Sequence, residues 1–262
     1  AHSRGISVIM DVVVNHAGSL FYYDLNNNGT ADTGEWEPAY NESGYNKSYL
    51  KWLEGNDWAD AANRKKPMPV EFQNTSWWSF RGGNATTGSG NEVLYGDFAG
   101  LRDIDTTNTA VRAKFKEIFK WWVKNTDIDG IRIDTVKHVE TGFWETFCAD
   151  LRTWAKSSDG GNKNFYMLAE VYDGTAANLG AYTTNDKLDS VLGFNMAEKV
   201  FDWNSGDNVT VFKDAGTWSA RPKTSVLESA LSAVTADTNL NGSASIHTNG
   251  DGLTARQKIG YF

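Results

Sequence analysis

Apolar and polar positions follow two different regimes along this 262-residue chain. Ile6 to Val14 is a run rich in Val and Ile, entered through Gly5, and reads as one buried strand. From Ala17 to about Gly100 the periodicity disappears, and Gly, Asn, Trp and Tyr dominate. A bare loop of that length does not suit a compact domain, so the stretch is predicted to be a small irregular subdomain. Regular alternation then begins. Asn108 is placed to cap a helix whose Val111, Phe115, Ile118, Phe119 and Trp122 form one apolar stripe. Ile128 to Asp134 reads as a strand. Phe143, Trp144, Phe147, Leu151 and Trp154 mark a second amphipathic helix, and Phe165 to Glu170 a further strand. A weaker strand is expected near Ser190 to Phe194. Helical spacing returns around Val226 to Val234, and Lys258 to Phe262 begins a last strand. Strands alternating with helices imply a parallel α/β sheet. The pattern by itself fits a barrel and an open sheet equally.

Composition narrows the function classes. Hydrophobic residues make up 40% of the chain, which marks it as globular. A net charge of −8 and a pI of about 5.0 argue against nucleic acid as a partner. No apolar run reaches the roughly 18 residues of a membrane-spanning helix, so no membrane partner is expected. Cys148 is the only cysteine; it cannot form an internal disulfide and is expected to lie buried on a helix. The 11 Trp, 10 Tyr and 13 Phe suit stacking on sugar rings, but a large core uses the same residues, so they lend a sugar ligand only mild support.

Candidate chemistry sits at strand ends. In Gly130-Ile131-Arg132-Ile133-Asp134-Thr135-Val136-Lys137-His138, residues two apart share a face, so Arg132 and Asp134 point the same way. A guanidinium beside a carboxylate favours the charged form that a nucleophile needs. A structural Arg–Asp pair accounts for these nine residues equally well. Asp134 and Glu170 end successive predicted parallel strands, about 4.8 Å apart. That spacing allows the roughly 5–5.5 Å carboxyl separation of a retaining glycosidase. Separately, Asp24 to Glu35 fits a twelve-residue calcium-loop pattern. Asp24, Asn26, Asn28, Asp32 and Glu35 fall at positions one, three, five, nine and twelve. Thr30 would offer its backbone carbonyl, and Gly29 stands at the sharp turn. An Asn/Gly-rich surface turn is the competing reading.

Asp11-Val12-Val13-Val14-Asn15-His16, Gly130 to His138, and Leu168-Ala169-Glu170-Val171-Tyr172-Asp173 occur in an order and wording that resemble the α-amylase family, glycoside hydrolase family 13. The resemblance implies a partial (β/α)8 TIM barrel, about strands three to seven, with an irregular domain B inserted after the third strand. Residues 1–16 would hold strand three, 17–104 domain B, and 105–262 the barrel from helix three to the start of strand seven. Asp134 matches the family nucleophile and Glu170 the general acid/base. Arg132 would keep Asp134 charged. His16 matches a sugar contact, Lys137 and His138 match the leaving-group side, and Tyr172 is a candidate acceptor-side aromatic. Asp11 matches a structural carboxylate. Asn15, Asp103 and the carbonyl of His138 match the ligands of a second Ca2+.

The resemblance implies an α-amylase-like glycosidase acting on starch or malto-oligosaccharides by double displacement, monomeric and exported. A transglycosylating, cyclodextrin-forming relative and a non-catalytic barrel binding sugar or a protein partner remain alternatives. The family's third carboxylate has no match, because Ile259-Gly260-Tyr261-Phe262 stands where its motif would begin and Asn249-Gly250-Asp251-Gly252 reads as a turn. The stretch is therefore expected to be an internal piece of a longer enzyme and nearly inactive by itself. Several Asn-x-Ser/Thr triplets, at Asn41, Asn46, Asn74, Asn84 and Asn208, matter only in a eukaryotic secretory setting.

Overall fold

Five short parallel strands carry the chemistry-bearing segments. They are β1 (Ile9–Val12), β2 (Gly130–Ile133), β3 (Tyr166–Ala169), β4 (Ser190–Leu192) and β5 (Ile259–Gly260). The computed structural model describes residues 1–53, 66–173, 176–184 and 187–194 (backbone only at 176–177), with the backbone of 213–214, 217–218 and 259–260. The helix expected around Val226 to Val234 and the turn at Asn249 lie outside the described residues. The chain divides into two compact units: 1–12, 119–134 and 144–262 form the first; 13–118 and 135–143 form the second. The insertion expected at 17–104 lies within the second.

In the first unit the strands pair in chain order, β1-β2-β3-β4-β5, every pair parallel. An open doubly wound sheet reverses its strand order at a switch point. Strictly sequential order belongs to a singly wound barrel, of which this sheet is a part. Ile131, Ile133, Met167, Ala169 and Val191 are completely buried. Gly130 is required by close strand approach, since a Cβ there would stand 2.5 Å from the carbonyl oxygen of Tyr166. Helix α1 (Thr109–Thr126) starts where Asn108 accepts the Ala110 amide at 2.9 Å, and α2 (Thr141–Ala155) follows β2. Phe119 of α1 meets Phe147 of α2 edge-on at 5.3 Å, and Cys148 is buried beside it on α2. A short helix, α3 (Ala176–Ala181), leads on towards β4.

The first strand departs from expectation. It is four residues long, and Ile6, Ile9 and Val13 are 57%, 46% and 41% exposed rather than buried. Among the described strands β1 pairs only with β2, and an edge strand has neighbours on one side only. Val/Ile richness reports strand propensity, and burial depends on which strands and helices pack beside it.

The second unit is built from fragments of regular structure. Phe21–Tyr23 pairs antiparallel with Leu50–Trp52, and His16–Ala17 with Arg102–Asp103, which closes the neck of the unit. Its core is aromatic: Phe21, Tyr23, Trp78 and Phe80 are fully buried, with Tyr23 stacked on Phe80 at 4.2 Å. Arg102, 1% exposed, lies 5.1 Å from the Phe21 ring centre and pairs with buried Asp97 at 2.5 Å. Burial pushes the Asp97 carboxyl upward, and Arg102 opposes this. Truncating one partner of such a pair leaves a buried charge uncompensated. In the full-length protein, Arg102→Ala is expected to cost about 3–5 kcal/mol, read from urea unfolding followed by fluorescence. A loss below 1 kcal/mol would mean that water reaches Asp97.

Candidate active site

The β1-β2-β3 register sets the geometry. Asp11 pairs with Arg132, and Ile133 with Ala169, so Asp134 and Glu170 are the next residues on adjacent strands. Their backbones stay in the ladder: the Asp134 amide donates to Val12 at 2.9 Å, and the Glu170 amide to Ile133 at 2.7 Å. Side chains from three strands then meet on one guanidinium. Arg132 Nη1 donates to Asp11 at 3.0 and 3.1 Å and to Asp134 at 3.0 Å, and Nη2 donates to Glu170. All four residues belong to the first unit.

Glu170 has its pKa lifted to about 7. Burial is the main cause, then its hydrogen bond with Asp134; the Arg132 charge pulls the other way. The site therefore offers a carboxyl that holds a proton near neutrality beside a carboxylate ion-paired to Arg132, the combination that acid-and-nucleophile chemistry needs. Tyr172, two residues beyond Glu170, is 63% exposed, and Phe194 meets its ring edge-on at 5.0 Å.

The second unit gathers another set. Buried Asn15 donates from Nδ2 to Asp103 and to the His138 carbonyl, both at 2.9 Å. His16 Nδ1 lies 3.0 Å from Asn15 Oδ1. Phe98 stacks on His16 at 4.7 Å and meets His138 edge-on at 5.0 Å. Lys137 and His138 form a tight 3-10 turn, in which His138 Nδ1 donates to the Val93 carbonyl at 2.8 Å. Buried Asp103 also accepts from Ser79, and burial drives its carboxyl well above the usual carboxylate range. Phe98 and Ser79 were not anticipated from sequence. Their meaning lies in contacts with residues far away in the chain.

Among the described residues, no group of three or more His, Cys, Asp or Glu side chains could hold a metal. Calcium, however, also takes amide and carbonyl oxygens. Asn15, Asp103 and the His138 carbonyl converge in a buried place, and burial strains the Asp103 charge, so these residues fit a hard cation. Rotating the Asn15 carboxamide would present its oxygen.

The loop at Asp24–Glu35 also folds inward. Asn26 and Asn28 each donate to Asp32 at 2.7 Å, and Glu35 accepts the amides of Leu25 and Asp32 at 2.7 and 3.1 Å. Asp24 is buried and accepts from Gly29, whose φ of +79° makes the turn; Thr30 donates to Asn28. This oxygen-rich set is chemically suited to calcium as well.

Sequential parallel strands carrying carboxyls at their carboxyl ends define a barrel-type α/β domain with a carboxyl–guanidinium cluster at its rim. The family model for the alpha amylase catalytic domain matches residues 1–242, and the chain belongs to that family. It is 30% identical over 206 residues to an alpha-amylase of Streptomyces lividans, covering 74% of this chain and 22% of that protein. It is also 30% identical over 207 residues to a beta/alpha-amylase of Paenibacillus polymyxa, covering 77% and 13%. The chain thus spans under a quarter of either relative. A cyclomaltodextrin glucanotransferase of Bacillus sp. (strain 1-1) is 30% identical over 148 residues, 56% of this chain and 16% of its own length. The structure of an alpha-amylase from Geobacillus thermoleovorans superposes with a TM-score of 0.53 at 20% identity, covering all of this chain and 40% of that one, which supports the fold.

Because Asp134 helps to raise Glu170, Asp134→Asn in the full-length protein is expected to lower the Glu170 pKa below about 7. Carboxyl-carbon NMR titration reads this directly. An unchanged value would leave burial and the Asp11 charge as the causes.

Proposed function

We propose that the protein containing this domain is a retaining α-glucan enzyme, an α-amylase-like hydrolase cleaving internal α-1,4 bonds of starch and malto-oligosaccharides. The observation carrying this reading is the Asp134–Arg132–Glu170 arrangement on neighbouring strand ends. In the first step Glu170 gives its proton to the glycosidic oxygen while Asp134 attacks the anomeric carbon. In the second, Glu170 takes a proton from water, which displaces Asp134 and returns the starting configuration. Arg132 orients both carboxyls. His16, Lys137 and His138 act as sugar contacts. Tyr172, braced by Phe194, is the feature that favours transfer to a sugar acceptor as a second outcome of the same chemistry. Action on a polymer also suits a monomeric, exported enzyme.

In the full-length protein, Glu170→Gln is expected to lower kcat on maltoheptaose by about 10²–10⁴-fold. Because protonated Glu170 is required, kcat/KM should fall as pH rises through about 7. Proton NMR of the first product should show the α-anomer. A β-anomer, or undiminished activity in Glu170→Gln, would sink this mechanism.

Two calcium ions belong to the same reading. One would be held by Asn15, Asp103 and the His138 carbonyl, and the other by Asp24, Asn26, Asn28, Thr30, Asp32 and Glu35. Bound calcium supplies fixed positive charge that braces the polar loops of the second unit. At saturation about 100-fold above Kd, a bound ion stabilises by about 2.7 kcal/mol. Chelation of the full-length protein should therefore lower Tm by roughly 5–10 °C. Asp103→Asn and Asp24→Asn should each remove part of that response, and no shift on chelation would count against both sites.

A further inference from the structure

Phe98 stands between two histidines of the second unit, to which all three residues belong. Its ring stacks on His16 with 4.7 Å between centres and 8° between planes, and meets His138 edge-on at 5.0 Å and 82°. One ring therefore sets two imidazole planes nearly at right angles to each other. A hydrogen bond at Nδ1 fixes one atom of each imidazole, against Asn15 Oδ1 for His16 and the Val93 carbonyl for His138. Torsion about the second side-chain bond of histidine is broad, so packing decides where the rest of the ring points. Phe98 supplies that packing to both.

The backbone that carries this ring is held on both sides. The Phe98 amide donates to the Leu101 carbonyl at 2.8 Å, and the Leu101 amide to the Phe98 carbonyl at 3.0 Å. Between them Ala99 and Gly100 have φ of +50° and +81°, the two left-handed positions of a type I′ turn. Alanine rarely adopts that conformation, so the surroundings rather than local preference maintain the turn. Ser19 donates to the Gly100 carbonyl at 2.8 Å. Before the turn, buried Asp97 accepts from Tyr23 at 2.9 Å, from the Asp103 amide at 3.2 Å and from Arg102. A ring that only fills a core is wholly enclosed, as Phe21 and Phe80 are, whereas Phe98 stays partly exposed. We propose that Phe98 is a positioning residue for glucan cleavage: it orients His16 and His138 together, and through them the bound sugar. The proposal rests on the glucan reading given above, in which both histidines contact the sugar.

The test compares Phe98→Leu, Phe98→Met and Phe98→Tyr in the full-length protein acting on maltoheptaose, with circular dichroism confirming the fold. Leucine and methionine fill space without a ring, and tyrosine keeps the ring. KM is expected to rise about tenfold in the two ringless variants and to return close to the unaltered value in Phe98→Tyr. A raised KM with kcat kept reports lost contact with the sugar. A smaller folded fraction would instead lower the apparent kcat and leave KM alone. A crystal structure of Phe98→Leu should show both imidazole planes turned. An unchanged KM in a folded ringless variant, or either imidazole plane unmoved, would overturn the proposal and leave the glucan reading standing. Failure of the unaltered protein to cleave maltoheptaose would overturn both.

Discussion

Arg132 is the constraint on which the candidate active site depends. Three carboxyls, Asp11, Asp134 and Glu170, project from three adjacent strands onto its one guanidinium. Fully ionised, the four groups would carry a net charge of −2 in a partly buried place. A proton on Glu170 halves that excess, which is why burial and Asp134 act together to raise its pKa. Parallel pairing is what makes this sharing possible. It brings Asp11 level with Arg132 and Asp134 level with Glu170, so no loop has to be ordered to assemble the cluster.

The second unit solves a different electrostatic problem. Asp97 and Asp103 are both almost wholly buried, yet a single guanidinium, Arg102, pairs with Asp97. Asp103 relies on neutral donors, Ser79 and Asn15. Neutral hydrogen bonds offset desolvation of a carboxylate less well than a positive charge does. That imbalance is the physical reason to look for a cation beside Asp103, and it stands apart from any likeness of sequence.

Much of the scaffold was legible in the sequence. The stripes at Val111–Trp122 and Phe143–Trp154 became α1 and α2, and the apolar runs ending at Asp134 and Glu170 became β2 and β3, because period and burial coincide there. Arg132 and Asp134 could be placed on one face from strand alternation, and the observed hydrogen bond between them agrees. What stayed hidden depends on pairing between distant segments. The exposure of Ile6, Ile9 and Val13 goes with β1 having a single partner strand among those described. Phe98 gains its role only by lying against His16 and His138, some 80 and 40 positions away along the chain.

The strand-end cluster of the first unit supports a catalytic role more strongly than any single motif does. A strand-end aspartate beside an arginine has a structural explanation, and so does a strand-end glutamate. Both on one guanidinium, with the glutamate's proton affinity shifted to about 7, is harder to explain by structure alone. Ion pairing by itself lowers a carboxyl pKa, and at both Asp97 and Glu170 burial outweighs it. The raised pKa of Glu170 means that ionising it costs stability as pH rises from its unfolded value towards about 7. A carboxyl kept at that cost, sharing one guanidinium with Asp134, supports the proton transfer proposed for it.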